Sequence, residues 1–366
     1  MTARPFRIAV PDAVLERIDG QLARSRIGYA PEGDSGWQYG TDRLFLSELV
    51  DYWRVDYRWR DAEATLNLLP QYQSRIDGVD VHFYHLRSGR GGFPLILTHG
   101  WPGSVVEFQA AMPLLTARGF DVIVPSLPGY AWSSRPAGPI GPDTVARLWR
   151  SLMTDVLGYE RFGAQGGDWG SAVTHRLGSD HADVVAAIHL NLFQALRPGD
   201  SADSDEAQYW KRVGELTMKE SAYMLEHMTK PQTIGLALHD NPVGWAAWVI
   251  EKFHGWRDER KDFEQSFTKD QLITNLMTYL VNDAVISSIW LYRGVMGELP
   301  FSGRIEVPTG LAVYPGEFYP YPSRAAAERA FNLRRWSEMP AGGHFAAMEE
   351  PEAFANDVGD FFQDFA

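Results

Sequence analysis

Up to about residue 75, apolar positions recur at helical spacing among polar ones, in "PDAVLERIDGQLARSRI" and "DRLFLSELVDYWRVDYRWRDAEATLNLL". That pattern predicts a helical amino-terminal segment, and Pro11-Asp12 ahead of the first amphipathic run is a helix start signal. The period then changes. "SRIDGVDVHFYHLRS" alternates, with Asp77-Gly78 as a hairpin-type turn. Short continuous apolar runs follow, each running into a Gly/Pro-rich loop: "FPLILTHG" (93–100), "FDVIVPSLPG" (120–129), "RFGAQGGD" (161–168) and "VVAAIHLNL" (184–192). Helix-length segments such as "TVARLWRSLMTDVLG" separate them. Continuous apolar strands alternating with helices predict an α/β fold, its mostly parallel sheet covered by helices on both faces. The alternation stops at about 195, where helix formers take over until about 300. It resumes with "VPTGLAVYPGE" (307–317) and "RRWSEMPAGGHF" (334–345), then an amphipathic helix, "EPEAFANDVGDFFQDF". The expected organisation is an amino-terminal extension (1–75), a first part of the sheet domain (76–195), an inserted helical cap (196–300) and a second part of the sheet domain (301–366). Such a cap would cover the carboxyl ends of the strands, where open α/β sheets bind ligands.

Charge and composition remove several classes of function. The 34 basic and 47 acidic residues leave a formal charge of −13, which argues against nucleic acid or an anionic membrane as partner, since both need a basic face. The chain has no cysteine, so disulfides, thiolate catalysis and zinc sites with cysteine ligands are excluded. No stretch reaches the ~18 apolar residues of a membrane span, and the first residues show no apolar run with a cleavage site. The expectation is a soluble cytoplasmic protein acting on a small molecule. "SDHAD" (179–183) has no further ligand cluster and reads as a surface turn, so no metal is expected. In "GAQGGDWG" the glycine spacing does not fit a dinucleotide loop, and no cofactor is expected.

The chemistry concentrates in Gly166-Gly167-Asp168-Trp169-Gly170. Small residues flanking a reactive side chain between a strand and a helix resemble the nucleophile elbow of α/β-hydrolases, with aspartate in place of serine. A carboxylate, with a reference pKa of about 3.9, needs no base before it attacks. On saturated carbon a serine would form an inert ether, whereas an aspartate forms an ester that activated water can cleave. Epoxides and alkyl halides fit that sequence of steps. The hydrolase order of nucleophile, acid and histidine is met by Asp168, Glu317 after "LAVYP", and His344 in "AGGHF". His344 would deprotonate water and Glu317 would orient its ring. Backbone N–H groups of Trp101, in "HGWPGS" (99–104), and of Trp169 are the candidate oxyanion donors. Trp245, Trp248, Phe253 and Trp256 fall on one helical face and read mainly as cap packing, with a share in the pocket as the lesser alternative.

These motifs resemble the epoxide hydrolases related to the microsomal and juvenile-hormone enzymes, in a bacterial soluble form. "PFRIAVPDAVLERI" and "LNLLPQYQSRIDGVDVHFYH" are similar to that family's amino-terminal domain, and "LTHGWPGSVVEF", "GGDWGSAV" and "GGHFAAMEEPE" to its catalytic loops. The resemblance implies hydrolysis of an epoxide to a vicinal diol through an aspartyl ester, with Asp168 as nucleophile, His344 as base and Glu317 as its acid. It also implies two cap tyrosines that donate to the epoxide oxygen. "ESAYMLEHMTKPQTIGLAL" supplies Tyr223, and "LITNLMTYLVNDAVISSIWLYRG" supplies Tyr292. Around the second tyrosine the chain departs from the family, with Leu280 for a usual Trp, Trp290 for Arg and Gly294 for Glu, so Tyr279 is the alternative donor. The rival readings are a haloalkane dehalogenase, which shares the aspartate but commonly has Asn where Trp101 stands, and a non-catalytic hydrolase-fold binding protein. Family habit also suggests a homodimer.

Overall fold

The protein was analysed as a computed structural model that describes residues 2–33, 36–89, 91–194, 204–298 and 303–366. Among these residues a single sheet contains β1 (Arg4–Phe6), β2 (Gln71–Ile76), β3 (Val79–Leu86), β4 (Phe93–Thr98), β5 (Phe120–Pro125), β6 (Phe162–Gly166), β7 (Val185–Leu190), β8 (Ile305–Val313) and β9 (Phe331–Glu338). The spatial order is β1-β2-β3-β5-β4-β6-β7-β8-β9. Pairings from β1 to β5 are antiparallel, and those from β5 across to β9 are parallel. The chain leaves β4 for β5 on one side and returns to β6 on the other. The strand order therefore reverses at β4, and open α/β sheets gather ligands at such a point.

Local chemistry explains the main elements. The β2–β3 hairpin turns at Asp77 (φ 44°) and Gly78 (φ 85°), two positive φ values that suit a two-residue turn of the primed type. β4, β5, β6 and β7 are buried on both faces, with Leu95, Ile96, Leu97, Val122, Ile123, Ala164 and Ile188 fully excluded from water, as expected for parallel strands under two helical layers. β1 is an element the periodicity misses, since three residues are too few to show a period.

The helical cap includes Ser204–Glu220, Ala222–Thr229, Pro231–Leu238, Pro242–Trp256, Lys269–Leu280 and Trp290–Val295. A capping box of Thr268 and Gln271 starts the helix Lys269–Leu280. The amino-terminal helices Asp12–Arg24, Arg43–Val55 and Trp59–Leu66 lie against this cap. Trp37 stacks on His254 with 3.8 Å between ring centroids, the Tyr57 hydroxyl meets Thr274 Oγ1 at 3.1 Å, and Arg17 pairs with Asp240. Of these anchors the Tyr57 ring is the buried one, and burial of that kind contributes about 1.5–3 kcal/mol. The amino-terminal segment thus straps the cap onto the sheet. Among the described residues no single helix is long and apolar enough to cross a membrane.

Candidate active site

β6 ends at Gly166, and Asp168 opens the helix Asp168–Asp180. Its φ of 47° is a left-handed conformation that costs a non-glycine residue about 1–3 kcal/mol. The turn fits because its neighbours are small. A Cβ on Gly170 would lie 1.8 Å from the Thr98 carbonyl oxygen at the end of β4. This packing brings the loop after β4 over the nucleophile. The Trp101 N–H donates to Asp168 Oδ1 at 2.7 Å. The Trp169 N–H, the other candidate donor, makes no hydrogen bond to the carboxylate in this state.

His344 follows β9 in a glycine loop. Its Nε2 is 3.3 Å from Asp168 Oδ2, and its Nδ1 is 2.9 and 3.1 Å from the two carboxylate oxygens of Glu317. The Glu317 side chain is fully buried and accepts from the Tyr319 N–H at 3.2 Å. An anionic acceptor on Nδ1 keeps a proton on that nitrogen and turns Nε2 toward Asp168. Burial alone would disfavour the imidazolium, but the charges and hydrogen bonds of Glu317 and Asp168 outweigh it and hold His344 well above its ordinary value.

Tyr223 and Tyr292 come from two cap helices, and their ring centroids are 5.9 Å apart. The Trp101 indole stacks on Tyr223 at 5.3 Å and meets Tyr292 edge-on at 5.9 Å. Trp169 lies edge-on to Tyr292 at 4.7 Å. The buried Tyr292 hydroxyl has no hydrogen-bond partner. Burial is the main influence that raises both phenols above the ordinary tyrosine value, joined by the Asp168 charge for Tyr223 and by Tyr223 and then Asp168 for Tyr292, so both remain proton donors. Tyr279 is placed differently. Its hydroxyl donates to the Gly103 carbonyl, and its ring packs 4.9 Å from Trp245.

The end of the cap helix Pro242–Trp256 enters the site directly. Trp256 is 5.4 Å from Tyr223, stacks on Phe318 at 4.5 Å and meets His344 edge-on at 5.0 Å. Trp245 and Phe253 are buried as cap packing, so Trp256 is the member of that aromatic face beside His344. The Trp256 carbonyl accepts the His344 N–H at 2.9 Å. Asp258 Oδ2 accepts the Gly342 N–H at 3.0 Å. Glu349 receives the N–H groups of Asp258 at 2.8 Å and Phe345 at 3.1 Å. Burial pushes Glu349 up to about 7 against those hydrogen bonds. A Cβ on Gly343 would fall 2.6 Å from the backbone of Arg257 and Asp258. The histidine loop is therefore clamped to the end of the cap helix Pro242–Trp256 and the residues that follow it.

Sequence reasoning passed over Asp258, Glu349 and Glu107. The only sequence signal for Glu107 and Glu349 is a carboxylate beside buried apolar residues. Beside the nucleophile lies a cavity of about 20 Å³ lined by His99, Trp101, Gly103, Glu107, Asp168 and His344 among others, room for one water molecule. A larger cleft of about 320 Å³ between the amino-terminal segment and the cap contains none of the candidate catalytic residues.

Comparison with known proteins agrees with this architecture. Residues 3–108 match the family described as Epoxide hydrolase N terminus, and residues 94–236 match the alpha/beta hydrolase fold. Epoxide hydrolase 1 of Sus scrofa is 34% identical over 98% of this chain and 88% of its own length. Juvenile hormone epoxide hydrolase 2 of Ctenocephalides felis is 33% identical over 97% of this chain and 84% of its own length. The solved structure of Aspergillus niger epoxide hydrolase superimposes with a TM-score of 0.90 at 30% identity, covering 100% of this chain and 97% of that one. A putative epoxide hydrolase of Stigmatella aurantiaca is 39% identical over 98% of this chain and 84% of its own length, so the relatives are bacterial, mammalian, insect and fungal together and do not single out the bacterial soluble form expected above. The fold, the order of its loops and these full-length likenesses agree: the chain belongs to the epoxide hydrolase family of the α/β-hydrolase superfamily.

Proposed function

We propose that the protein adds water to a small-molecule epoxide and releases a vicinal diol through an alkyl ester on Asp168, without a cofactor. The observation that carries this reading is the division of labour on one carboxylate. Asp168 Oδ1 is held by the Trp101 N–H while Oδ2 faces His344, and both phenols feel the Asp168 charge.

In the first step the carboxylate attacks a ring carbon. The C–O bond opposite breaks, and its electron pair goes to oxygen, which takes a proton from Tyr223 or Tyr292. Donation of this kind is worth ~10²–10⁴-fold. Tyr292 is preferred to Tyr279 because its hydroxyl is unpaired, whereas that of Tyr279 is committed to the Gly103 carbonyl. The ester removes the negative charge that helped keep His344 protonated, so the histidine value falls, its Nε2 proton passes to the phenolate left by the first step, and Nε2 becomes a base when a base is needed. Water attacks the ester carbonyl as His344 takes its proton. The Trp101 N–H stabilises the oxyanion, a contribution of ~10²–10³-fold for one such donor. Collapse expels the alkoxide, which takes the proton from His344, and the Asp168 carboxyl so formed gives its own proton to His344, which restores the carboxylate and the resting imidazolium.

The test is intact mass spectrometry of His344→Gln after mixing with styrene oxide. One epoxide mass on Asp168 is expected. In a single turnover of the parent in heavy-oxygen water, the label should enter the Asp168 carboxylate and not the diol. A labelled first diol with no adduct on the variant would overturn the covalent route. Halide release from haloalkanes without epoxide turnover would favour the dehalogenase alternative.

A further inference from the structure

Glu107 lies on the short turn Val105–Phe108 that follows the oxyanion loop. Its carboxyl lines the same 20 Å³ cavity as Asp168 and His344. The placement is close. A Cβ on Gly103 would sit 1.5 Å from Glu107 Oε1, so the carboxyl fills the space a side chain at position 103 would occupy, beneath the loop that donates to Asp168. Among the described residues no lysine or arginine acts on it. Burial is the main influence on the group and pushes it up to about 8, while His344 and a backbone hydrogen bond from Ser104 favour its charged form and Asp168 opposes it. A carboxyl taken from water without a cation is costly to keep. Its partner here is a space that holds one water, and such a water needs two to four polar contacts. His344 Nε2, which faces Asp168 Oδ2 at 3.3 Å in the resting site and loses that charged partner when the ester forms, offers one. Glu107 offers the next.

We propose that Glu107 is a further catalytic residue, which with His344 holds the water that hydrolyses the Asp168 ester. This rests on the two-step reading above. As the water oxygen bonds to the ester carbonyl carbon, one of its protons passes to His344 Nε2. The other stays hydrogen-bonded to a Glu107 carboxyl oxygen. The bond from that carbon to the diol oxygen then breaks, and the imidazolium returns its proton to the departing alkoxide. Glu107 undergoes no net protonation change. Its contribution is to fix the nucleophile's position, and it acts in the second step alone.

The experiment measures both steps in one protein by rapid mixing with styrene oxide and by mass spectrometry at steady state. Glu107→Met, which keeps length and removes the acceptor, is expected to alkylate within about threefold of the parent and to hydrolyse the ester ~10- to 100-fold more slowly. The ester should accumulate on Asp168. Glu107→Gln, which retains an acceptor oxygen, should fall between. If Glu107→Met does not fold, the same two rates of Glu107→Gln decide: slowed hydrolysis with parental alkylation supports the role, and parental hydrolysis overturns it. A Glu107→Met that slows both steps alike, or neither, also overturns it. His344→Gln keeps the two failures apart. With an adduct on His344→Gln, only the Glu107 role falls. Without one, the ester mechanism itself falls.

Discussion

His344 Nε2 stands 3.3 Å from Asp168 Oδ2, so the charge state of the histidine is set partly by that of the aspartate. Removing the aspartate charge should lower the titration of His344, which Asp168 and Glu317 together hold high. In Asp168→Asn the imidazole resonances followed by NMR should titrate at lower pH than in the parent. Stability should follow. A histidine raised on folding contributes stability that is fully present below its unfolded value, about 6.5, and is lost as pH rises through the folded value. The parent's melting temperature should therefore fall more steeply than the variant's on the alkaline side. Equal slopes would show that Glu317 alone sets the histidine.

The two cap tyrosines and Tyr279 should separate by phenotype. Tyr292 has an unpaired hydroxyl, so Tyr292→Phe should fold at least as well as the parent while alkylating ~10- to 100-fold more slowly. Tyr223→Phe should behave alike, and the double variant should alkylate hardly at all. Tyr279→Phe would leave the Gly103 carbonyl without its donor. That change should cost about 1–3 kcal/mol of stability, read as a lower melting temperature, with a smaller effect on alkylation. Stopped-flow and thermal melts on the same preparations check both. Parental alkylation by the double variant would remove the tyrosines from the mechanism.

Gly343→Ala tests the clamp between the histidine loop and the cap. The added methyl meets backbone at 2.6 Å, which no side-chain rotation relieves. It should cost about 1–3 kcal/mol and slow alkylation and ester hydrolysis together, since His344 and Trp256 both shift. An effect on one step alone would show that the loop adjusts locally.

How much of this was legible depends on the range of each signal. The parallel strands announce themselves because burial on both faces demands unbroken apolar runs, and the hairpin because Asp77-Gly78 suits positive φ. The elbow is visible because its packing admits only small residues around Asp168. Tyr223 and Tyr292 stand in segments where an aromatic residue is ordinarily core, and only resemblance picks them out. Glu107, Asp258 and Glu349 are charged residues whose burial arises from elements distant in the chain. Asp258 meets Gly342 across the cap boundary, and no local period records such a meeting.

The same meeting limits how members of this family can exchange parts. A helical insert between two sheet segments looks like a module that recombination could swap to change substrate preference. Here residues 256–258, in the middle of the insert, are structural members of the His344 loop, joined through the Trp256 carbonyl, the Asp258 carboxylate and a glycine that leaves no space. A chimera cut at the apparent end of the helices would carry a foreign seat for its own histidine. The heritable unit is the cap, residues 256–258 included, together with the loop 342–349, and crossovers that keep those segments together should be the ones that yield active hybrids.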